Sequence, residues 1–414
     1  MKMVEQVAKA IAELKNVMAR TVKRFRTWLA AQRNFLFARY TKDAQETQEP
    51  EKSLVQLPPE TRAKLIDKVE NLPSNPADQK AIASKLDEAY EIWHKDPSNA
   101  DNSVVVLSSP VAAVSRILSE TLEEWADVKQ VRLKLLSLKA RPIEIESIVS
   151  KLEHHLKESD SIKDEASNQL EIVVIPNLSW CFLRSIEGLE GIEYICSSLC
   201  NGSKNRFWII GAGQVGWQYL NSVCGLETYC GEVFSLPAIE SEDLEEWLEP
   251  IIKDLDIAFD EPRIDRQILD RDKNHKTSYF EHLTNISKGI GTVAIQAFIK
   301  SIRYEENEEN EAKKDETQPK EKGLIAQTPK LPQLPDLESV DQYLLYSLLL
   351  HGDLSVSSLA ESLGDLESEV QARVQLLRRE GVVEQRGKVV KINPIYYPRV
   401  KQALANNNFI INRD

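Results

Sequence analysis

Cysteine, glycine and methionine are scarce in this 414-residue chain, with 5, 15 and 3 copies. The five cysteines have no framework spacing, which excludes a disulfide-built secreted scaffold and fits a reducing cytoplasm. No apolar run approaches the ~18 residues that a membrane span needs, so an integral membrane protein is excluded. The opening stretch MKMVEQVAKAIAELK carries acids and lysines where a signal peptide needs an apolar core, which argues against secretion. The six histidines form no metal-binding spacing such as H-E-x-x-H, and His154-His155 reads as a solvated pair on a polar helix. Positive charge is short as well: the formal net charge is −13, which excludes a protein whose whole surface binds nucleic acid.

Apolar residues make up 42% and charged residues 28%, ordinary for a soluble globular chain of two or three domains. The charge is uneven. Residues 1–42 hold ten Lys/Arg against two Glu, or +8, so the remainder carries −21. Within that basic arm Val4, Val7, Ile11, Leu14, Met18, Phe25, Trp28 and Phe35 recur at helical steps. Lys15, Arg20, Lys23, Arg24, Arg26 and Arg33 flank the stripe. Such a helix packs on its own body or on a second copy. Its basic face with Trp28 also suits an anionic membrane surface, and nucleic acid is a third partner class.

Residues 43–100 read as a linker followed by two amphipathic helices. From 101 to 238, buried-type strands (NSVVVLSS, VKQVRLKLLSL, LEIVVIP, RFWIIGAG, EVFSLP) alternate with helical stretches, which predicts a parallel α/β sheet with crossover helices. Residues 239–304 are helical, with a glycine break at Lys288-Gly289-Ile290-Gly291. Residues 305–335 are charged and proline-dotted and read as a disordered linker. In 336–414, three helices and the hairpin VVEQRGKVVKIN predict a winged helix.

This order of parts resembles an AAA+ or STAND-type P-loop ATPase: P-loop NTPase-like α/β sheet, N-terminal helices, helical lid, C-terminal winged helix. The resemblance covers roughly residues 100–410. NSVVVLSSPVAAVSRIL matches the first strand, P-loop and helix, LEIVVIPNLSWCFLRS the Walker B strand, and RFWIIGAG the sensor strand. A working P-loop needs two glycines, a lysine on the β/γ-phosphates and a hydroxyl on magnesium. Here the stretch is Ser108-Ser109-Pro110-Val111-Ala112-Ala113-Val114-Ser115, with neither glycine nor lysine. Pro110 lacks a donor. Ser115 is the stand-in for the magnesium hydroxyl and Arg116 a poor one for the lysine. The Walker B position ends Ile175-Pro176-Asn177, without an acid for the metal. Both losses together predict a chain that does not hydrolyse ATP and carries no cofactor, with nucleotide binding at the helix start as a weaker alternative.

Other motifs compete. Gly211-Ala212-Gly213-Gln214-Val215-Gly216 is a literal G-x-G-x-x-G after a strand. The next strand ends in Ser235, Leu236 and Pro237 with no ribose-binding acid, so a tight strand–helix turn is the better reading. Cys196-x3-Cys200 and Cys224-x5-Cys230 read as buried small hydrophobes rather than metal ligands. In the winged helix, Arg373, Arg378, Arg379, Arg386, Lys388 and Lys391 are candidates for nucleic-acid or partner contacts. Residues 336–414 nevertheless hold nine basic and eleven acidic residues, which favours a protein partner. The expectation is a cytoplasmic, non-catalytic scaffold or assembly subunit, as an oligomer or peripheral to a membrane in some settings. A DNA-associated regulator and a nucleotide-binding protein are the alternatives.

Overall fold

The computed structural model describes residues 53–136, 138, 140–142, 144–157, 170–201, 204–260, 275–306 and 323–409. Lys15, Arg20, Lys23, Arg24, Arg26, Trp28 and Arg33 lie outside them. Residues 55–305 and 318–414 form one compact unit. The other, 1–54 with 306–317, includes only 53, 54 and 306 of the described set.

Helices α1 (Pro59–Glu70) and α2 (Pro76–Lys95) precede an alternation of strands and helices. Asn75 caps α2 by accepting from the Ala77 N–H, and Pro76 fits the first helical position because it needs no donor there. The alternation runs β1 (Ser103–Ser108), α3 (Val114–Lys129), β2 (Leu133–Leu135), α4 (Ser147–Lys157), β3 (Glu171–Ile175), α5 (Glu190–Asn201), β4 (Arg206–Gly213), α6 (Gln214–Cys224) and β5 (Glu232–Ser235). The five strands pair in parallel in the order β2-β3-β4-β1-β5. Val105 faces Ile210 on one side and Val233 on the other. The fold class is therefore α/β with a five-stranded parallel sheet.

Both faces of this sheet are covered, as its β-branched runs require. Val104 and Val106 point to one core with Ile82, Leu86, Trp93, Leu118 and Phe207. Val105 and Leu107 point to the other with Leu152, Phe182, Ile195, Trp208 and Leu220. Trp93 and Trp208 are almost fully buried, each side chain stabilising by roughly 2–3 kcal/mol on area alone.

Next come α7 (Ser241–Asp254), β6 (Ile257–Phe259), α8 (His275–Ser287), α9 (Gly291–Ser301), β7 (Ile302–Glu306) and β8 (Leu324–Ala326). Lys288 and Gly289 turn α8 into α9 with positive φ, and a Cβ on Gly289 would strike Ala238. Strand β8 pairs in parallel with β6 and antiparallel with β7. Of the segment 305–335 read as a disordered linker, residues 307–322 lie outside the described residues, and the reading is corrected for Leu324, Ile325 and Ala326, which are buried strand residues. Their three apolar side chains cover a small sheet that a linker composition conceals.

The C-terminal part contains α10 (Ser339–His351), β9 (Asp353–Ser355), α11 (Val356–Leu363), α12 (Glu367–Arg379), β10 (Val383–Arg386), β11 (Val389–Ile392) and α13 (Tyr397–Asn406). Strand β11 pairs antiparallel with both β9 and β10, and Gly387 with φ 61° makes the hairpin turn. Helix α10 is buried nearly all round, with Leu344, Leu345, Leu348, Leu349 and Leu350 shielded.

Candidate functional site

The chain leaves β1 toward the β2 edge and leaves β4 toward the β5 edge, on the opposite side. That reversal opens a crevice beside the carboxyl end of β1, the usual ligand position in an open α/β sheet. In this chain the crevice is lined by residues 108–115, by Asn177, Ser179 and Gly213, and by the C-terminal part, leaving about 220 Å³.

The turn from β1 into α3 spans only residues 109–113. The Ala112 N–H closes it onto the Ser109 carbonyl at 2.9 Å. Ala113 begins α3 with no side-chain cap, and no acid lies in the first turn, so the positive helix end is unneutralised by this helix. Ser115 stands on the crevice wall. Arg116 does not. Its Nε donates to Glu120 at 2.7 Å and its Nη atoms donate to the Glu70 and Leu72 carbonyls. Arg116, expected to be a poor substitute for a phosphate-binding lysine, faces outward and ties down the end of α1. Asn177 is on the wall, but its Oδ1 accepts from the Ser179 N–H and caps the 3-10 turn Leu178–Cys181. The Pro176 carbonyl lies against Gly211, where a Cβ would collide with it.

The opposite wall belongs to the C-terminal part: His351, Gly352, Asp353, Lys391 and Pro394. Two arginines fasten it. Arg141 donates Nε to the Phe182 carbonyl at 3.1 Å, Nη1 to the Asp353 carbonyl at 2.8 Å and Nη2 to the Ser179 carbonyl. Burial pushes its guanidinium down to about 10, so it stays charged at neutral pH. Arg184 donates Nη2 to the Ser362 carbonyl at 2.8 Å, and its backbone N–H donates to His351 Nε2 at 3.3 Å. His351 is fully buried against Phe182, with ring centroids 4.6 Å apart. Burial, with Arg141 and Arg184 nearby, holds its imidazole well below the ordinary 6.5, so it is neutral. Burial raises the Asp353 carboxyl, against the pull of Arg141 and Lys391.

A second cleft of about 390 Å³ adjoins the first across Ser108, Ser109 and Ala112. Its wall includes Asp78, Lys288, Gly289, Tyr397 and Lys401. Burial pushes the Asp78 carboxyl up to about 6, against the lowering hydrogen bond of Asn75.

The glycine motif after β4 does packing work. A Cβ on Gly216 would strike the Leu350 carbonyl, so this glycine lets α6 lie against α10. The C-terminal basic residues divide. Arg373 pairs with Glu338 at 2.5 Å and Asp341 at 3.8 Å, Arg386 with Glu70 at 3.3 Å, and Lys391 with Glu384 at 3.7 Å. Arg378, Arg379 and Lys388 are exposed. Two further expectations change. Cys181 and Cys196 are buried, but Cys200 is exposed and Cys224 and Cys230 half-buried. His154 is exposed whereas His155 is buried, because it turns inward beside Leu152 and Leu156 on α4.

Sequence reasoning does not single out Arg141, Arg184, His351, Asp353 or Asp78. A signal exists for His351: it ends a helix whose leucine run implies burial on every side. Arg141 and Arg184 have none, since their partners are carbonyls. Among the described residues no three His, Cys, Asp or Glu side chains are placed to hold a metal ion, and no helix is long and apolar enough to cross a membrane.

No family model matches the chain, and no curated protein matches it. Solved structures similar to it include Cdc6p from Pyrobaculum aerophilum, 11% identical with TM-score 0.37 over 81% of this chain and 96% of that one. The Aeropyrum pernix ORC2 protein is 11% identical with TM-score 0.37 over 81% and 95%. The Thermotoga maritima RuvB Holliday junction branch migration motor is 13% identical with TM-score 0.31 over 78% and 94%. Likenesses this remote carry no argument about activity.

Proposed function

We propose that the chain is a non-catalytic, AAA+-like pseudo-ATPase that acts as a protein-interaction scaffold or as an assembly or regulatory subunit. The observation that carries this reading is the β1–α3 turn. It is five residues long, offers neither glycine nor lysine, and its one nearby arginine, Arg116, is spent on α1. Asn177, where an acid would hold magnesium, caps its own turn. A transferring phosphate would find no cation in the usual places.

The C-terminal part supports a docking role as a winged helix. Its ion pairs engage Arg373, Arg386 and Lys391 within the protein. On and beside α12, Leu366 is 67% and Leu376 52% exposed. Exposed apolar residues next to Arg378 and Arg379 suit a protein contact better than a run of phosphates. The basic residues 1–42 would supply a second attachment, to a partner or an anionic membrane face.

The test is cross-linking of the tagged full chain in its native host, beside Leu366→Asp/Leu376→Asp and a chain lacking residues 1–42. The reading expects defined protein partners, lost with one or the other change. Recovery of nucleic acid alone, released by salt and lost on neutralising Arg378, Arg379 and Lys388, would overturn it in favour of a DNA-associated regulator.

A further inference from the structure

Helix α10 ends at His351, which is fully buried where the C-terminal part meets the α/β core. Its ring packs against Phe182, and its Nε2 accepts a hydrogen bond from the Arg184 backbone N–H at 3.3 Å. An N–H donates only to a bare nitrogen, so the ring carries its single proton on Nδ1. Nδ1 has no partner among the described residues. The closed contact therefore has no room for a second proton. It would set an Nε2–H against the Arg184 N–H, donor facing donor. It would also leave a buried imidazolium with no acceptor on either nitrogen.

The surrounding charges act in the same direction. Arg141, between β2 and α4, and Arg184, between β3 and α5, both bear on the ring with positive charge. Lys391 on β11 lines the same crevice wall. The carboxylate among the described residues of that wall is Asp353 on β9, which already feels the pull of Arg141 and Lys391. Burial pushes the Cys181 thiol beside Arg141 up to about 12, and it raises the Tyr219 and Tyr346 phenols near Arg184, so these three are neutral.

We propose that His351 is a proton-operated latch: taking up a proton releases this face of the C-terminal part from the α/β core, and losing it lets the contact close again. Arg141 donating to the Asp353 carbonyl, Arg184 to the Ser362 carbonyl and the Arg184 N–H to His351 all cross the contact. Protonation breaks the last of these and adds a like charge beside the guanidinium groups that make the others. The latch needs neither a partner protein nor a nucleotide, so it stands apart from the scaffold reading. The ring has its ordinary proton affinity, near 6.5, only when open to water, and a much lower one when closed. The contact is thus at full strength above pH 6.5 and weakens below it, by about tenfold per unit in the opening equilibrium. Carboxyls act the other way. Burial raises Asp353 and Asp78, so acid favours the closed and folded forms through them. The sign of a local response therefore separates the histidine from the acids.

The experiment follows amide exchange of the full chain by mass spectrometry between about pH 7.5 and 5.5, the range in which an open histidine titrates, with rates corrected against an unstructured peptide. Corrected exchange at residues 183–185 and 349–353 should rise about tenfold toward the acid end. The central strands 103–108 and 206–213 should stay protected. His351→Gln keeps an acceptor and cannot be charged, so its profile should be flat; Asp353→Asn should keep the rise. Flat exchange in the parent chain, or protection that grows in acid, would overturn the proposal without recourse to any variant. So would an equal rise in His351→Gln, loss of the rise in Asp353→Asn, or a rise spread evenly over the whole chain, which is global unfolding.

Discussion

Arg141 shows how far one side chain can decide the arrangement of this protein. It carries a charge where water has little access, and three carbonyls from two parts of the chain converge on it. Removing it leaves those acceptors buried and unpaired, which costs more than the net value of the bonds themselves. Arg141→Ala is therefore expected to lose about 2–4 kcal/mol in urea unfolding, on the scale of buried carbonyls left without a donor. A loss below about 1 kcal/mol, the scale of one ordinary hydrogen bond, would show that water or a neighbour replaces it readily. Asp78 gives a second handle. Its carboxyl, raised to about 6 from the ordinary 3.8, holds a proton longer in the folded chain than in the unfolded one. Stability is thus favoured below pH 3.8 and declines as pH climbs to about 6, above which the deficit is complete. Asp78→Asn should be more stable than the parent at neutral pH by about 1 kcal/mol, a two-unit shift discounted for the partial exposure of the group. That gain should vanish in acid, and melting curves at both ends of the range test it. Residue roles are the least legible part of the sequence. The stretch 108–115 can be located from it, but the direction of Arg116 cannot be read from proximity to the turn. Its i,i+4 partner Glu120 marks an outward helix face, and that pairing decides.

At the level of elements, legibility follows length and branching. The runs SVVVLS, EIVVI and RFWIIGAG are β-branched or apolar through their middles, with polar residues at their starts, and each is a buried central strand. The three-residue strands Ile257–Phe259 and Leu324–Ala326 carry too few residues for a period to show. Their pairing is decided by tertiary contact. Helix contacts supply the next prediction. Gly216 allows α6 to reach the Leu350 carbonyl at the end of α10. Gly216→Ala gains helix propensity, about 1 kcal/mol, but must push α10 away or bend α6, at about 1–3 kcal/mol. The two nearly cancel in global stability while the contact itself is lost. Limited proteolysis should therefore cut faster around residues 349–356 in Gly216→Ala, with a melting temperature within a few degrees of the parent. Unchanged cleavage would mean that α6 and α10 adjust without separating.

At the scale of the whole molecule, the proposed scaffold reading draws on the charge distribution and the fastened C-terminal part. The chain is acidic overall at −13, and Arg373, Arg386 and Lys391 of its C-terminal part form ion pairs within the protein. Arginine clamps place His351, Gly352 and Asp353 over the crevice where a nucleotide-driven machine would need room to cycle. The α/β class is readable from the alternation of strands and helices; the clamps are not, because main-chain carbonyls leave no trace in side-chain identity. The most direct test of the non-catalytic account is phosphate release from magnesium-ATP by the purified full chain under single-turnover conditions, beside Ser115→Ala. The account predicts release no faster than in buffer for both proteins. Release well above the buffer rate that disappears in Ser115→Ala would contradict it, and would make the β1–α3 turn a working catalytic loop.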